Sequence, residues 1–434
     1  MENRKNDELL IKLESFISKK IEINGFIGRS YKRIREISSV DLKKMFPEQF
    51  WSSIQWLSYI ENTLDTHLLY LVIEDENNNL MGIIPCQIVT DSKGLLFYNL
   101  PRSFTKGGNF GNLDFLNLQQ LQALKEYQIK LENENLYPSL IAAIPNSYCG
   151  ILINPDIATN ERKSVLKALM YFFNILAEHI DSKIHGLCYI PEHIYGDINE
   201  HLPEGYCKLT VGADSVLSIP WLSFDEYLMN FNDKRRNKIR REIKEFKSSG
   251  LKVEVLCGAQ ALSEDLIKLQ LSLRSKYGHG GDPEKLSKSF QIMKDYLDDS
   301  IVVFNAILKD EIVGFVLFFR QDNKMYAHLS GFDYEKLVNA FCYPNLCFYE
   351  PIKYAINEGI NQIYYGLSSY EAKVRRGCEL VELGAYISFN TKIRNNAILE
   401  EISELLSFSE KQQLNHFHEM VSKPKNTKIG RYYL

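Results

Sequence analysis

The chain has 434 residues, 51 Lys and Arg against 55 Asp and Glu, a formal net charge of −4, and 45% hydrophobic residues. That length exceeds what one core commonly supports, so two domains are expected. The balance of charge excludes a chain built as a whole to bind DNA, no apolar run approaches the roughly 18 residues of a membrane span, and eight scattered cysteines without a CxxC pair exclude a disulfide framework.

In chain order, the opening stretch MENRKNDELLIKLESFISKK is charged throughout and has no signal-peptide core, so a cytoplasmic location is expected. Residues 68–98 then match residues 301–330. Each reads as an apolar strand, an acidic or Asn-rich turn, a second strand opening with a glycine (Gly82, Gly314), a polar turn and a third strand. The alignment lays Leu95 on Ala327 without a gap. The first half carries extra residues after this meander: Pro101 to Asn112, with a glycine cluster at Gly107, Gly108 and Gly111 read as a loop, and a polar helix near Gln119 to Asn135. An apolar helix over Ser164–Ile180 leads to a strand over Ile184–Ile190. The joint is expected near Gly212 to Pro220, giving domains 1–215 and 216–434.

The next segment, from Trp221 to Gly250, reads as a basic helix. From Lys234 to Lys247, eight of fourteen residues are Lys or Arg and two are Glu. Ile239, Ile243 and Phe246 share one stripe, so the helix docks by that side, with Gly250 as its cap. Its charge is either a phosphate-facing patch carried by Arg235, Arg236 and Arg240 or a solvated face paired with nearby acids. No aromatic stacking set interleaves it, so nucleic-acid binding by this helix alone is not expected.

Two helices follow within 262–297, then the second meander, whose last strand contains Tyr326, His328 and Ser330 on one face by alternation. Gly331-Phe332-Asp333-Tyr334 closes that strand. A helix over Tyr343–Ile360 places Tyr343 and Glu350 seven apart on one face. A carboxylate beside Leu346, Phe348 and Tyr349 is a candidate half-buried base. Ile363 to Tyr365 is a strand that stops at Gly366. Beyond it, YEAKVRRG puts Tyr370, Lys373 and Arg376 on one side of a short helix. A strand that ends at glycine and hands over to ionisable residues is where α/β folds place chemistry. Nine histidines show no HExxH or related spacing, so no metal is expected. Cys378 has no histidine beside it and is read as core.

The order of strand, helix and strand up to Leu383, with "F-x-x-Y-L … K-R-R-x-x-I-R-R-E", "GFDY" and "Y-x-A-K-x-x-R-G-C", resembles the C-terminal half of a GCN5-related N-acetyltransferase (GNAT) domain. More narrowly it is similar to the two-domain branch holding Fem-type peptidyl transferases and peptidoglycan biosynthesis/recognition acyltransferases. The resemblance covers roughly Trp221 to Asn390 and reaches the first half through the repeat. It implies an α/β (α+β) fold of two tandem GNAT-like domains, each a mixed, mostly antiparallel sheet flanked by helices.

It further implies an N-acyltransferase, with the first domain shaping an acceptor or acyl-chain pocket and the second carrying the reaction. The acyl group, possibly a fatty acyl, would come from an acyl-CoA or acyl-carrier-protein thioester and go to an amine of a peptide or small-molecule metabolite. In that setting His328 is a candidate base, Asp333 has a substrate-side role, Tyr370 is an acid for the leaving thiolate, and Lys373 neutralises an anion. Arg376 joins Arg235, Arg236 and Arg240 as donor-binding cations, and Tyr326 and Tyr343 face substrate. One departure stands out: Asp333 to Tyr343 contains no glycine where acetyltransferases carry a Gly-rich pyrophosphate loop. Two alternatives therefore stay open: a Fem-type aminoacyl-tRNA-dependent ligase acting on a cell-wall precursor or peptide, and a non-catalytic ligand-binding protein of the same fold.

Overall fold

The computed structural model describes the chain apart from residues 1, 38–41, 43–44, 46–49, 65–66, 93–95, 107–112, 145–148, 192–197, 279, 338–339, 394–395 and 423–434. The glycine cluster from Gly107 to Gly111 lies outside the described residues. Two units emerge: Met1–Ala213 with Val381–Asn415, and Asp214–Leu380 with His416–Leu434.

In the first unit the β-branched and aromatic runs become β1 (Ile21–Ile23), β2 (Phe26–Tyr31), β3 (His67–Glu74), β4 (Leu80–Val89), β5 (Ser139–Ala142), β6 (Leu152–Ile153) and β7 (Ile184–Pro191). Their order is β1-β2-β3-β4-β5-β7, with β6 beside β4. Neighbours are antiparallel except β5 and β7, which are parallel. The apolar face of the helix Thr159–His179 (Val165, Leu169, Phe172, Leu176) closes the core over β3 and β4.

The second unit contains the end of β8 (Tyr206–Ser218), then β9 (Lys252–Cys257), β10 (Ile301–Leu308), β11 (Glu311–Gln321), β12 (Lys324–Phe332) and β13 (Gln362–Tyr364), in the order β9-β10-β11-β12-β13-β8. Here β12 and β13 are the parallel pair. The two units share one strand plan, and the expected mixed, mostly antiparallel architecture is present in each. The outer partner of β7 is β14 (Glu379–Phe389), paired through Leu383 to Phe389. That pairing draws 381–415 into the first unit, whereas a single cut at 215/216 would leave it in the second.

The repeat is real, and its register differs from the alignment. Gly82 lies opposite Ile73 and Gly314 opposite Ala306, each beside a bulge in its own strand (the extra residues are Met81 and Val313), so these glycines are equivalent. Leu95 lies outside the described residues, and no third strand follows it directly. Leu96–Tyr98 is a 3-10 turn, and Asn99 accepts from the Arg102 N–H at 3.1 Å to start the helix Leu100–Lys106. β5 takes the third place, so the extra residues sit inside the meander, between its second and third strands.

Alternation splits the second unit's side chains into two layers. Val302, Phe304, Val316 and Phe318 join Ile239 and Phe246 of the helix Asp233–Ser248 and Leu346, Phe348 and Ile352 of the segment 342–357. The two helices expected within 262–297 are Glu264–Lys276 and Pro283–Leu297, and the first packs on β11 and β12. Gly331 permits that approach: a methyl group there would lie 2.6 Å from the Leu269 carbonyl carbon. Among the described residues no helix is long and apolar enough to cross a membrane.

Candidate active site

The site begins where β12 leaves its neighbours. β11 and β12 pair regularly from Gly314 and Phe332 to Leu317 and Leu329, then Phe318 meets Ala327. His328 is the extra residue of that bulge. On the other side, pairing with β13 stops at Tyr326 and Tyr364. The strands part, and a cavity of about 160 Å³ opens between them. Ala327, His328, Leu329 and Ser330 border it consecutively, which strict alternation forbids and a bulge allows. The expected common face of Tyr326, His328 and Ser330 is thus broken. His328 and Ser330 reach the cavity, while Tyr326 is buried in a stack on Tyr364, centroids 4.9 Å apart. The His328 ring lies 5.0 Å from Phe319, and burial, helped by Arg274, pushes its pKa down to about 3. The imidazole is neutral at physiological pH.

Tyr343, Cys347 and Phe348 form the next wall. They lie on a continuous helical segment whose middle, Asn345–Tyr349, is a π-turn. The wider turn uncouples residues seven apart. Tyr343 therefore borders the cavity, while Glu350 points away and pairs with Lys353 at 2.6 Å. The structure does not bring Glu350 to the cavity as a base.

Tyr365 and Lys373 complete the lining. Tyr365 is 8% exposed, packs on Phe348 at 4.8 Å, and its hydroxyl meets no hydrogen-bond partner among the described residues. Burial raises its phenol well above the ordinary tyrosine pKa, so it stays protonated. After it the chain turns through Gly366, Ser368 and Ser369, all at positive φ (70°, 63° and 50°). Two serines in the left-handed region are costly, and Lys373 holds the turn. Its ammonium donates to the carbonyls of Tyr365, Gly366 and Leu367, each at 2.8 Å. Burial lowers its pKa to about 8, with Asp214 opposing that shift. Lys373 thus spends its donors on backbone, not on a substrate anion.

Arg376 was expected to bind donor phosphate. It is instead buried, 3.7 Å from Glu242, donating to the Ala372 carbonyl at 2.7 Å, with its guanidinium 4.7 Å from the Phe348 ring. Tyr349 donates to the same Glu242 carboxylate. Arg235 donates to the Arg375 carbonyl at 3.0 Å, and Arg236 pairs with Asp233. Tyr370 packs its ring against Phe417 and does not border the cavity. Asp333 accepts from the Glu335 and Lys336 N–H groups, both at 3.1 Å, and so caps the turn after β12. Arg240 is exposed on the basic helix.

The residues missed in the sequence are Tyr365, Cys347 and Glu242. Glu242 had a visible signal, a carboxylate on the apolar stripe of Ile239, Ile243 and Phe246. Cys378 is 1% exposed in the core cluster. Among the described residues no group of three or more His, Cys, Asp or Glu is placed to hold a metal.

The family model described as FemAB-like, peptidoglycan biosynthesis/recognition, matches residues 129–423, well over half of the chain. The chain belongs to the FemAB-like family. The expected Fem-like, peptidoglycan biosynthesis/recognition branch is thereby borne out. Among solved structures, FemX superposes with a TM-score of 0.52 at 10% identity, covering 84% of this chain and 98% of that one. This likeness shows the fold of a FemAB-like protein. A conserved protein of unknown function from Bacteroides thetaiotaomicron VPI-5482 gives a TM-score of 0.48 at 11% identity, covering 83% of this chain and 99% of that one. A tandem GNAT protein from the clavulanic acid biosynthesis pathway gives 0.44 at 8% identity, covering 84% and 98%. No curated protein matches this FemAB-like chain.

Proposed function

We propose that this FemAB-like protein is an acyl- or aminoacyltransferase, and that the cavity at the β12 bulge is where the acyl carbon passes to an amine. One observation carries the reading: a strand bulge opens a cavity in which a neutral histidine, His328, stands with a buried tyrosine hydroxyl, Tyr365, that has no partner among the described residues. The amine nitrogen attacks the acyl carbon, a C–N bond forms, and the bond to the thiolate or alkoxide breaks. The leaving group takes its proton from Tyr365 Oη. His328 accepts a hydrogen bond from the attacking amine, whose excess proton passes through solvent to Tyr365 Oη and restores the phenol. Catalysis of this kind is mostly positioning, with one well-placed proton donor.

A cavity of about 160 Å³ is close in size to one that takes a single benzene ring, so a short acyl or an aminoacyl group suits it better than a fatty chain. The donor we favour is a CoA or carrier-protein thioester, the acceptor an amine of a peptide or small molecule. The first unit is proposed to hold the acceptor or the remainder of the acyl donor. A thermal-shift series with CoA thioesters from acetyl to palmitoyl tests this. A ligand at about 100-fold over its Kd adds roughly 2.7 kcal/mol. The reading expects a maximum at short acyl groups, and a flat series rejects the thioester donor.

The match to a peptidoglycan family, with the missing glycine loop, favours a second reading: an aminoacyl-tRNA donor and a cell-wall peptide acceptor. Transfer that is abolished by ribonuclease, with a flat CoA series, would select it.

A further inference from the structure

The cations of the helix Asp233–Ser248 fall into two kinds. Arg236 pairs with Asp233, Arg241 with Glu245 at 3.5 Å, and Arg235 is held by a backbone carbonyl. Arg240, Lys244 and Lys247 have no carboxylate partner among the described residues. Spaced by four and then three residues, they form one stripe along about 10 Å of helix. That stripe is one wall of a groove of about 550 Å³, opposite Phe224, Leu228 and Lys353. Ile243 lies between the walls, and Asp225 supplies a carboxylate to the lining. The Lys353 ammonium is 5.1 Å from the Phe224 ring centroid.

The groove is separate from the acyl cavity, and no residue borders both. Phe348 faces the cavity, while the next residue, Tyr349, meets the edge of Phe224 with centroids 6.3 Å apart. Its volume falls in the range of small-molecule sites. Its chemistry is a row of cations with no carboxylate partner among the described residues, facing Phe224 and Leu228 with Asp225 and Lys353 also in the lining. One phosphate cannot reach along 10 Å, whereas a chain of phosphates meets successive cations. A planar heterocycle is what the Phe224 wall accepts beside it.

We propose that this groove binds a nucleoside polyphosphate, its phosphates on Arg240, Lys244 and Lys247 and its base along Phe224 and Leu228. The site stands independently of the transferase reading. Of the four arginines expected to meet phosphate, only Arg240 belongs to it.

Isothermal titration of the full chain with ADP, inorganic tripolyphosphate and orthophosphate, at low and high ionic strength, tests the site. ADP and tripolyphosphate should bind more tightly than orthophosphate and weaken as salt is added. The double variant Lys244→Glu, Lys247→Glu should lose about tenfold per cation for both. Lys288→Glu, on another helix, should change nothing. Phe224→Ala should weaken ADP and leave tripolyphosphate alone. Circular dichroism confirms that each variant is folded. Binding that survives the double reversal, or no binding at low salt, overturns the site. Equal affinity of ADP in Phe224→Ala overturns the nucleoside assignment. Tyr365→Phe should leave all these affinities unchanged, so loss of transfer and loss of phosphate binding are separate outcomes.

Discussion

Glu242 and Arg376 lie 3.7 Å apart with side chains 3% and 10% exposed, a charge pair inside the second unit. It ties the basic helix to the chain that follows the short helix Tyr370–Val374, and Tyr349 donates to the same carboxylate. A buried pair offsets its own desolvation poorly, yet removing one partner strands the other charge. Glu242→Gln and Arg376→Met should each cost about 3–5 kcal/mol, a fall in melting temperature of roughly 10 °C. The double change to Leu and Met should cost clearly less than the sum. Thermal unfolding of the three variants measures this, and additive losses would show that the two charges do not interact.

Lys373 predicts a pH response that separates the site from the fold. Its folded pKa of about 8 lies below the ordinary lysine value of about 10.4. Between those values the unfolded chain holds more protons, so this group's contribution to stability rises with pH. Above about pH 8 the neutral amine has fewer protons to give to the carbonyls of Tyr365, Gly366 and Leu367. Transfer activity should therefore fall on an alkaline limb near pH 8 while the melting temperature does not fall with it. Lys373→Arg should not rescue, since a planar guanidinium cannot direct three protons to one turn.

The strand plan was legible in the sequence because strands, turns and the glycines Gly82 and Gly314 repeat at matching places. The third strand was misplaced because Leu96-Phe97-Tyr98 looks extended by composition, and the cap at Asn99 decides otherwise. At the site, the cavity strand was found but not its geometry. A bulge at His328 and a π-turn at Asn345–Tyr349 both break the periodicity on which face assignments rest. Each moves one residue out of phase, which is why Tyr326 and Glu350 were placed on the wrong side. Lys373, Arg376 and Asp333 were singled out, but backbone carbonyls, a buried carboxylate and a turn claim them; the turn partners of Asp333 lie two and three residues on, whereas Glu242 is too far from Arg376 in sequence to be read from spacing.

His328 predicts acid sensitivity. Its folded pKa of about 3 lies below the ordinary value of about 6.5. Below about pH 6.5 the unfolded chain takes up a proton that the folded chain refuses, so this contribution to stability is lost progressively down to pH 3. His328→Gln should flatten the stability profile across that window. Urea unfolding at a series of pH values gives the test, and an unchanged slope would mean that the imidazole is solvated.

Tyr365→Phe separates chemistry from packing most sharply. A buried hydroxyl without a partner forfeits its hydrogen bonds to water and gains none in return. Removing it leaves the ring on Phe348 and lifts that cost, so the variant should be as stable as the parent or more so, by up to about 1–3 kcal/mol. A hydroxyl kept at such expense fits a group whose partner is the reacting substrate. Transfer should then fall by about 10²–10⁴, the range for loss of a positioned proton donor. Melting temperature and single-turnover rate, measured on the same preparation, read both effects. A variant that loses stability along with activity would make Tyr365 a packing residue, and one that gains stability at full activity would move the proton donor elsewhere in the cavity.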